Sequence, residues 1–487
     1  MKKRAFAVFL VVVIGLSLAA CGKGERVSET DISENEKVEL EESQNALTTD
    51  IENENIVTQQ EEDRDKAVQE WEFKTTASIE ETVLLDENDI KITATGLKYT
   101  DDSVELELTI ENHTDKDLSF VSGITGSNRN AVNGYMLPDS YGYWHIEVDA
   151  GKREDISYSF DIDELLIYGI TEIADIQMGF FVQDEEYDYT IYGPLQIKTS
   201  AAESHDYGTN TYQKIMSGGV LEKIGNCTIN YYGEDELYDH NGVRIVSEAL
   251  ITNQYGEKVV LLEIVNDSSE IVYGTVTEIS VNGLIVSDSE VTMGVDDSIN
   301  PGTRRIKAWT LNEILRADFL EVFGISDVGE FSCLFTVNDE DYRESISQEE
   351  ISFKISEEAS LFDADGVEVY NENGIRIISK GLFEAYYEYS SDIEIVLLIE
   401  NHSSEEIYID VAGHSVFING SIRDNMTVGQ KVPSEKYAAV DVELDASGLD
   451  ETGIHDIDDI KEAEIAFQIK DAEGNVIAQP LVSVNYQ

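Results

Sequence analysis

Apolar and polar residues alternate along short stretches of the chain. In residues 104–110, Val, Leu, Leu and Ile alternate with Glu, Glu and Thr, and residues 465–469 repeat the pattern with Ile, Phe and Ile. A period of two places alternate side chains on opposite faces of a β-strand, and the Asn, Asp and Gly residues around these stretches are typical of turns. The pattern therefore predicts antiparallel strands with one buried face.

Helical periodicity is rare along the same chain. The two best candidates are residues 161–168 and residues 310–319, where Leu311, Ile314, Leu315 and Phe319 could form one apolar face. The sequence thus predicts an all-β fold with few, short helices.

Three blocks of sequence recur in the same order, which is the most informative feature of the chain. The first block is centred on an Asn in a polar turn, at Asn88, Asn241 and Asn373. The second is an apolar strand that ends in another Asn, at Asn112, Asn266 and Asn401. The third is an apolar residue followed by Asn-Gly, at 132–134, 281–283 and 418–420. Asn-Gly between apolar runs predicts a type I′ hairpin, which needs positive φ at both central positions.

The N-terminus has three parts. Met1–Arg4 is basic, residues 5–18 are apolar, and Leu18-Ala19-Ala20-Cys21 has small residues before a cysteine. An apolar run of about 14 residues is shorter than the roughly 20 that a membrane-spanning helix needs. This order resembles the bacterial lipoprotein signal, and the resemblance implies that Cys21 carries the lipid. Acyl chains of the palmitate type would then hold the protein to the outer face of the cell membrane.

The predicted boundaries follow from these features. Residues 1–20 are the signal peptide, and residues 21–72, which are polar and acidic with few apolar residues, are a disordered tether. Three antiparallel β-sandwich repeats follow, at 73–200, 205–357 and 360–487.

The three repeats resemble the immunoglobulin-like β-sandwich modules that occur in tandem on surface lipoproteins of Gram-positive bacteria. The shared motif is a strand that ends in Glu-Asn-X-Ser/Thr, as at residues 111–114 and 400–403. The second repeat departs from the pattern through a longer lead-in, residues 205–236. The resemblance implies an extracellular module, often of unknown function, and it carries over no catalytic residue.

Charge narrows the range of partners. Lys and Arg together number 33 against 99 Asp and Glu, which gives a net charge of −66. Nucleic acid is excluded as an expected partner, because binding it depends on cations that replace the counterions of the phosphates. The expected partners are the membrane, through the lipid, and an unknown envelope protein or glycan.

The candidate chemical groups favour structural interpretations. Cys227 and Cys333 are expected to be free and buried, although an exported protein could join them in a disulfide. The second-block Asn residues match the glycosylation pattern, but Asn and Ser or Thr at these positions also shape turns. The seven histidines have no metal-ligand spacing, and they stand at positions 113, 145, 205, 240, 402, 414 and 455. The sequence contains neither a Gly-x-Ser-x-Gly elbow nor a phosphate-binding Gly-x-x-x-x-Gly-Lys.

Carboxylates and tyrosines leave alternatives open. Residues 363–366 and 338–341 could hold Ca²⁺ through oxygen ligands, yet solvated loops are the preferred interpretation. The 24 tyrosines, among them Tyr135, Tyr141, Tyr143 and residues 386–389 with Trp144 nearby, could stack on sugar rings or simply belong to strands.

The sequence therefore predicts a lipid-anchored, non-catalytic envelope protein that acts by binding or by presenting surface, without cofactor, metal or catalytic residue. One alternative is a cell-wall or glycan-binding module that uses exposed tyrosines. The other is an envelope hydrolase, which would need two carboxyl groups about 5–9 Å apart in a cleft.

Overall fold

The computed structural model describes residues 71–484, apart from ten short segments: 124–128, 139–143, 288–297, 312–321, 341–344, 357–360, 387–390, 424–428, 445–453 and 455–456. Cys21, the signal peptide and nearly all of the tether lie outside the described residues. Among the residues that are described, no helix reaches the length and hydropathy needed to cross a membrane.

The chain folds as an all-β protein, as the sequence predicts. The strands of residues 73–200 are β1 (Thr82–Glu87), β2 (Ile90–Tyr99), β3 (Ser103–Asn112), β4 (Leu118–Ser122), β5 (Ala131–Val132), β6 (Tyr135–Met136), β7 (Trp144–Val148), β8 (Arg153–Asp161), β9 (Asp175–Asp184) and β10 (Tyr189–Lys198). Helix α1 (Ile162–Ile167) lies between β8 and β9.

In residues 205–357, helices α2 (Thr211–Ser217) and α3 (Val220–Ile224) come first. The strands that follow are β11 (Thr228–Gly233), β12 (Tyr238–His240), β13 (Val243–Thr252), β14 (Lys258–Asn266), β15 (Val272–Val281), β16 (Leu284–Ser287), β17 (Ser298–Ile299), β18 (Thr303–Thr310), β19 (Glu330–Asn338) and β20 (Ser345–Lys354).

Residues 360–487 contain the last ten described strands and a 3₁₀ turn at Ile457–Asp459. The strands are β21 (Val367–Glu372), β22 (Ile375–Tyr386), β23 (Ser391–Asn401), β24 (Ile407–Ile418), β25 (Ser421–Arg423), β26 (Gly429–Val432), β27 (Lys436–Leu444), β28 (Ala463–Asp471), β29 (Val476–Ala478) and β30 (Leu481–Val484).

The strands form four sheets, and three cores lie between them: one between A and B, one between B and C, and one between C and D. Sheet A has the order β1-β2-β3-β8, and sheet B runs β11-β13-β14-β18-β6-β5-β9-β4-β7 with β10 beside β9 and β12 beside β13. Sheet C runs β20-β19-β15-β16-β27-β23-β22-β21 with β17 beside β15, and sheet D runs β25-β24-β28-β29 with β26 and β30 alongside. Alternate residues of facing strands fill the cores, for example Leu106 of β3 and Phe180 of β9.

Sheets B and C continue across the borders that the sequence predicts between the repeats. The Asn-Gly hairpin of the first repeat places β6 in parallel beside β18 of the second, with Tyr135 opposite Arg304. In the same way, β16 of the second repeat pairs in parallel with β27 of the third. The Asn-Gly hairpins of the first and second repeats therefore each extend a sheet of the following repeat.

The two Asn-Gly turns that precede these junctions have the backbone the sequence predicts. Asn133 and Gly134 have φ of 49° and 81°, and Asn282 and Gly283 have φ of 52° and 83°. Asn and Gly adopt this left-handed region at little cost, so the turns form locally and set the register of each hairpin.

Sheet A differs from its counterparts on its outer face. Five positions before the strand-end Asn, the second and third repeats have Leu261 and Val396, both buried against the preceding repeat's core. The first repeat has Glu107 there, ion-paired with Lys98. A polar outer face is typical of the terminal unit of a repeat array.

The strand-end Asn residues are buried hydrogen-bond centres. The Oδ1 of Asn266 accepts hydrogen bonds from the Ser268 amide at 2.9 Å and hydroxyl at 2.6 Å, and its Nδ2 donates to the carbonyls of Glu270 and Ile299, both at 2.8 Å. Asn112 and Asn401 make the same set of bonds, and all three are fully buried. The turn interpretation of the glycosylation pattern is confirmed.

Helix α1 confirms the first of the two predicted helices. The Asp161 side chain caps its N-terminus by accepting hydrogen bonds from the amides of Asp163 at 2.8 Å and Glu164 at 3.3 Å. Of the second candidate, residues 312–319 lie outside the described residues. Helices α2 and α3 were not predicted, and they occupy the long lead-in of the second repeat.

We expect Asn266→Ala to lower the free energy of unfolding by about 2–4 kcal/mol, because two main-chain carbonyls lose their donor and the turn loses its acceptor. Denaturant unfolding followed by tryptophan fluorescence measures the change. Asn475→Ala is the matched control, since its side chain bonds exposed carboxylates that water can replace. Equal stability of the two variants would contradict the role assigned to Asn266.

The buried carboxyl of Glu164 should make the free energy of unfolding depend on pH. Its carboxyl is buried in α1, its Oε1 has no hydrogen-bond partner, and burial raises its pKa from 4.5 to about 10. The folded state therefore retains a proton that the unfolded state releases above pH 4.5, so this contribution to stability is complete below pH 4.5 and declines as the pH rises towards 10.

Glu164→Gln removes that titration. We compare the free energy of unfolding of the variant with that of the natural chain at each pH. The difference, variant minus natural chain, should be about 2–4 kcal/mol larger at pH 8 than at pH 5, given about 1.4 kcal/mol per pKa unit. Denaturant titrations at both pH values test this, with Glu203→Gln as an exposed control. A gain that does not change with pH would refute it.

Candidate functional site

An exposed aromatic surface lies on the outer face of sheet B in the first repeat. We call it the aromatic face and define it by Phe181, Tyr187, Tyr189 and Ile191. The rings of Phe181 and Tyr189 stack with centroids 4.9 Å apart and planes inclined by 24°. Tyr187 is 80% exposed and Tyr189 is 62% exposed, so neither ring is used by the core. Exposure of this kind marks a contact surface more often than a structural one.

Strand pairing explains why these side chains lie together. Phe180 and Val182 of β9 point into the core, so Phe181 points outwards. The register places Ile191 of β10 and Val121 of β4 on either side of Phe181, and His145 of β7 beyond Val121. The next row of the same face contains Tyr189, Gln183, Ser119 and Glu147. The face thus combines stacked rings with a row of hydrogen-bonding side chains.

An acidic turn at residues 184–188 borders the aromatic face and carries Tyr187. The Asp184 carboxylate accepts hydrogen bonds from the amides of Glu186 at 2.9 Å and Asp188 at 3.1 Å, which fixes the turn. Lys116 forms an ion pair with both Asp184 and Glu186. The Lys116 hydrogen bond holds the pKa of Asp184 below its ordinary value, and the two carboxylates raise that of Lys116.

The same turn gathers three carboxylates, and Asp184, Glu186 and Asp188 each place an oxygen within 4.8 Å of the others. Such a cluster has the ligand chemistry of Ca²⁺. The Lys116 ammonium already supplies positive charge to two of the three.

The two Ca²⁺ candidates of the sequence have other partners. Lys380 donates hydrogen bonds to the carbonyls of Asp363 at 3.0 Å and Asp365 at 2.6 Å, which places its ammonium in the loop 363–366. In residues 338–341, Glu340 forms an ion pair with Arg129 at 2.8 Å. Both observations support the interpretation of these segments as loops.

The tyrosines singled out from the sequence do not belong to the aromatic face. Tyr135 is a strand residue, as the preferred interpretation of the tyrosines has it, and it is not available for stacking because β6 is paired on both sides and Tyr135 is only 4% exposed. Trp144 is half-buried. Tyr141, Tyr143 and the side chains of 386–389 lie outside the described residues.

Both cysteines within the described residues are free and buried, which confirms the preferred interpretation. Cys227 belongs to the core that also contains β9, whereas Cys333 belongs to the core formed by the second repeat. Burial raises the pKa of Cys227 to about 12 and that of Cys333 further. Neither thiol has the reactivity of a nucleophile at neutral pH.

The histidines with described side chains lie apart, each with its own partner. The pairs are His113 with Glu111, His145 with Ser119, His205 with Tyr207, His240 with Glu349 and His402 with Glu400. His414 and His455 have no described side chain.

A polar cleft of about 190 Å³ lies at the junction of the first and second repeats, and we call it the junction cleft. Its lining includes two carboxylates, Glu172 and Asp206. Hydrogen bonds from the Thr209 hydroxyl and the Gly208 amide lower the pKa of Asp206. A glycosidase acid needs a raised pKa in order to hold its proton at neutral pH, and Asp206 is shifted in the opposite direction.

Comparison with known proteins gives no family. No family model matches the chain, and no curated protein matches its sequence. Solved structures show only remote likeness. A Bacteroides uniformis β-glucuronidase is 9% identical with a TM-score of 0.15, over 52% of this chain and 27% of its own. An exo-chitosanase of Amycolatopsis orientalis is 6% identical with a TM-score of 0.15, and the match covers 84% of this chain and 78% of the exo-chitosanase.

These likenesses are too weak to transfer an activity. The chain spans about a quarter of the length of the β-glucuronidase. Red sea bream transglutaminase, at 8% identity and a TM-score of 0.13, is no more similar to this chain than these two enzymes are. The class of the protein therefore remains that of its fold, an all-β protein of paired sheets.

Proposed function

We propose that this chain is a lipid-anchored, non-catalytic binding protein of the bacterial cell envelope, and that its aromatic face holds a neutral polysaccharide. The observation that carries the proposal is the stacking of the exposed Tyr189 on the half-buried Phe181, beside the exposed Tyr187. Aromatic rings present apolar faces to the C–H groups of sugars, while neighbouring polar groups bind the hydroxyls.

The charge of the protein selects among polysaccharides. With a net charge of −66 and the acidic turn 184–188 at its border, the aromatic face repels anionic polymers at physiological ionic strength. A neutral polysaccharide is not repelled in this way. Neutral glycans are therefore the proposed ligands in preference to phosphate-bearing or uronate-bearing ones.

Three observations support a binding role over hydrolysis. The aromatic face is an open sheet surface and not a cleft that would enclose a scissile bond. The junction cleft has two carboxylates, but Asp206 has a lowered pKa. The buried thiols have raised pKa values.

The location is proposed from the N-terminus. Residues 1–20 have the order of a lipoprotein signal before Cys21, and residues 21–72 are polar and acidic. A tether of that composition would separate the folded part from the lipid headgroups, since like charges extend a chain.

Tyr189→Ala removes one ring of the stacked pair. We expect it to weaken binding to an insoluble neutral polysaccharide by about 1–2 kcal/mol, a factor of 5–30. Co-sedimentation of the full chain with cellulose, chitin and purified cell wall, at constant ionic strength, measures the change. Tyr255→Ala is the matched control, because Tyr255 is 55% exposed on a turn of the second repeat.

Two outcomes would count against the glycan proposal. One is equal loss of binding for Tyr189→Ala and Tyr255→Ala, and the other is absence of binding by the natural chain to all three materials. Thermal unfolding of both variants separates a local loss of contact from a loss of folding.

Cys21→Ala tests the anchor. In a bacterial host fed with an alkyne-labelled palmitate, the natural chain should be labelled and lack residues 1–20, whereas the variant should be unlabelled and retain them. Gel fluorescence and mass spectrometry of the N-terminus measure both. Cys227→Ser should be labelled like the natural chain, and label on Cys21→Ala would exclude the assigned lipid site.

A further inference from the structure

The junction cleft is built by elements of both repeats. Its floor contains Arg304 of β18 and Tyr135 of β6, the residues that face each other where the two strands pair. The amide of Arg304 donates to the carbonyl of Gly134 at 2.8 Å, and its guanidinium lies 5.2 Å from the centre of the Tyr135 ring. The floor is therefore held by the same contacts that join the repeats.

The segment between the repeats forms one wall. Asp206 accepts hydrogen bonds from the Gly208 amide at 3.0 Å and the Thr209 hydroxyl at 2.6 Å, which folds this segment into a turn. The rings of His205 and Tyr207 meet edge to face with centroids 4.5 Å apart. Tyr207 is 48% exposed, so the wall presents an aromatic surface that a ligand can reach.

Cations and carboxylates both line the cleft. The fully buried carboxylate of Glu263 holds one nitrogen of the Arg304 guanidinium at 2.7 Å, which orients the group and leaves further N–H donors for a ligand. Glu172, which also lines the cleft, lies 3.4 Å from the ammonium of Lys74. The cleft thus offers donors for a carboxylate and, within the same volume, carboxylates for an ammonium group.

The volume sets the size of the ligand. An apolar cavity of about 150 Å³ takes up one benzene molecule. By the same ratio, a cleft of about 190 Å³ holds about eight non-hydrogen atoms and excludes a polymer chain. A single small amino acid is of that size.

We propose that the junction cleft is a second binding site, and that its ligand is a free α-amino acid. The ligand carboxylate is held by Arg304, and its ammonium group lies between Glu172 and the aromatic wall of His205 and Tyr207, where a cation is attracted to the ring faces. A neutral monosaccharide would leave the Arg304 donors without a charged partner. The proposal does not depend on the aromatic face.

Isothermal titration calorimetry on the full chain in detergent tests the proposal. The probes are the twenty amino acids, acetate, ethylammonium and N-acetylglucosamine, each titrated to 10 mM. We expect at least one amino acid to bind at least tenfold more tightly than acetate or ethylammonium, because only a zwitterion contacts both sides of the cleft. The proposal would be overturned if only N-acetylglucosamine gave a heat of binding, or if none of the amino acids did.

Two substitutions in the junction cleft test whether the amino acid binds there. Glu172→Gln retains the shape of the side chain and removes its charge, and Tyr207→Leu removes the exposed ring, so each should weaken amino-acid binding at least tenfold. Tyr189→Ala should leave it unchanged, which separates this site from the aromatic face. Unaltered affinity in both cleft variants would place the ligand elsewhere and refute the assignment, and thermal unfolding of each variant verifies that it is folded.

Discussion

The unpaired main-chain groups at the edge of a β-sheet are the constraint on which this structure depends. An open edge exposes N–H and C=O groups that pair readily with other chains. Here the hairpin of one repeat covers the edge of the next, with β6 on β18 and β16 on β27. The pairing satisfies those groups, and it also fixes how successive repeats are joined.

The same pairing organises the surfaces around it. Because β6 joins β18, Tyr135 and Arg304 become the floor of the junction cleft, and the segment that links the repeats has to cross above them. The aromatic face lies on the other part of sheet B, on the outer side of β9 and β10. One sheet thus contributes to both candidate sites, a polar cleft and an exposed aromatic surface.

Much of the fold could be predicted because its signals are local. An Asn-Gly pair requires a certain turn, and alternation such as that of Val104, Leu106, Leu108 and Ile110 requires a strand with one buried face. All four of these side chains are buried. The strand-end Asn was predicted as a turn residue from its own neighbours. Its bond to a carbonyl 33 residues away, as from Asn266 to Ile299, has no local signal.

The candidate sites were harder to predict for the same reason. Tyr135 and Tyr189 are both strand tyrosines in sequence, yet one is closed in by a neighbouring repeat and the other is open to solvent. The difference arises from which strand pairs with which, and strand pairing between repeats is not encoded in a period of two. Helices α2 and α3 were not predicted, because Gly218 and Gly219 divide the segment that contains them, and neither half has a helical pattern long enough to recognise.

The charged outer face of sheet A has a consequence for how such a chain can change in length. An internal repeat could be duplicated, since its hairpin and its apolar outer face fit a copy of itself on either side. The first repeat could not be placed inside the array without burying Glu107 and its neighbours away from water. Growth by gene duplication would therefore proceed from an internal repeat, and the first repeat would remain the end unit of the array.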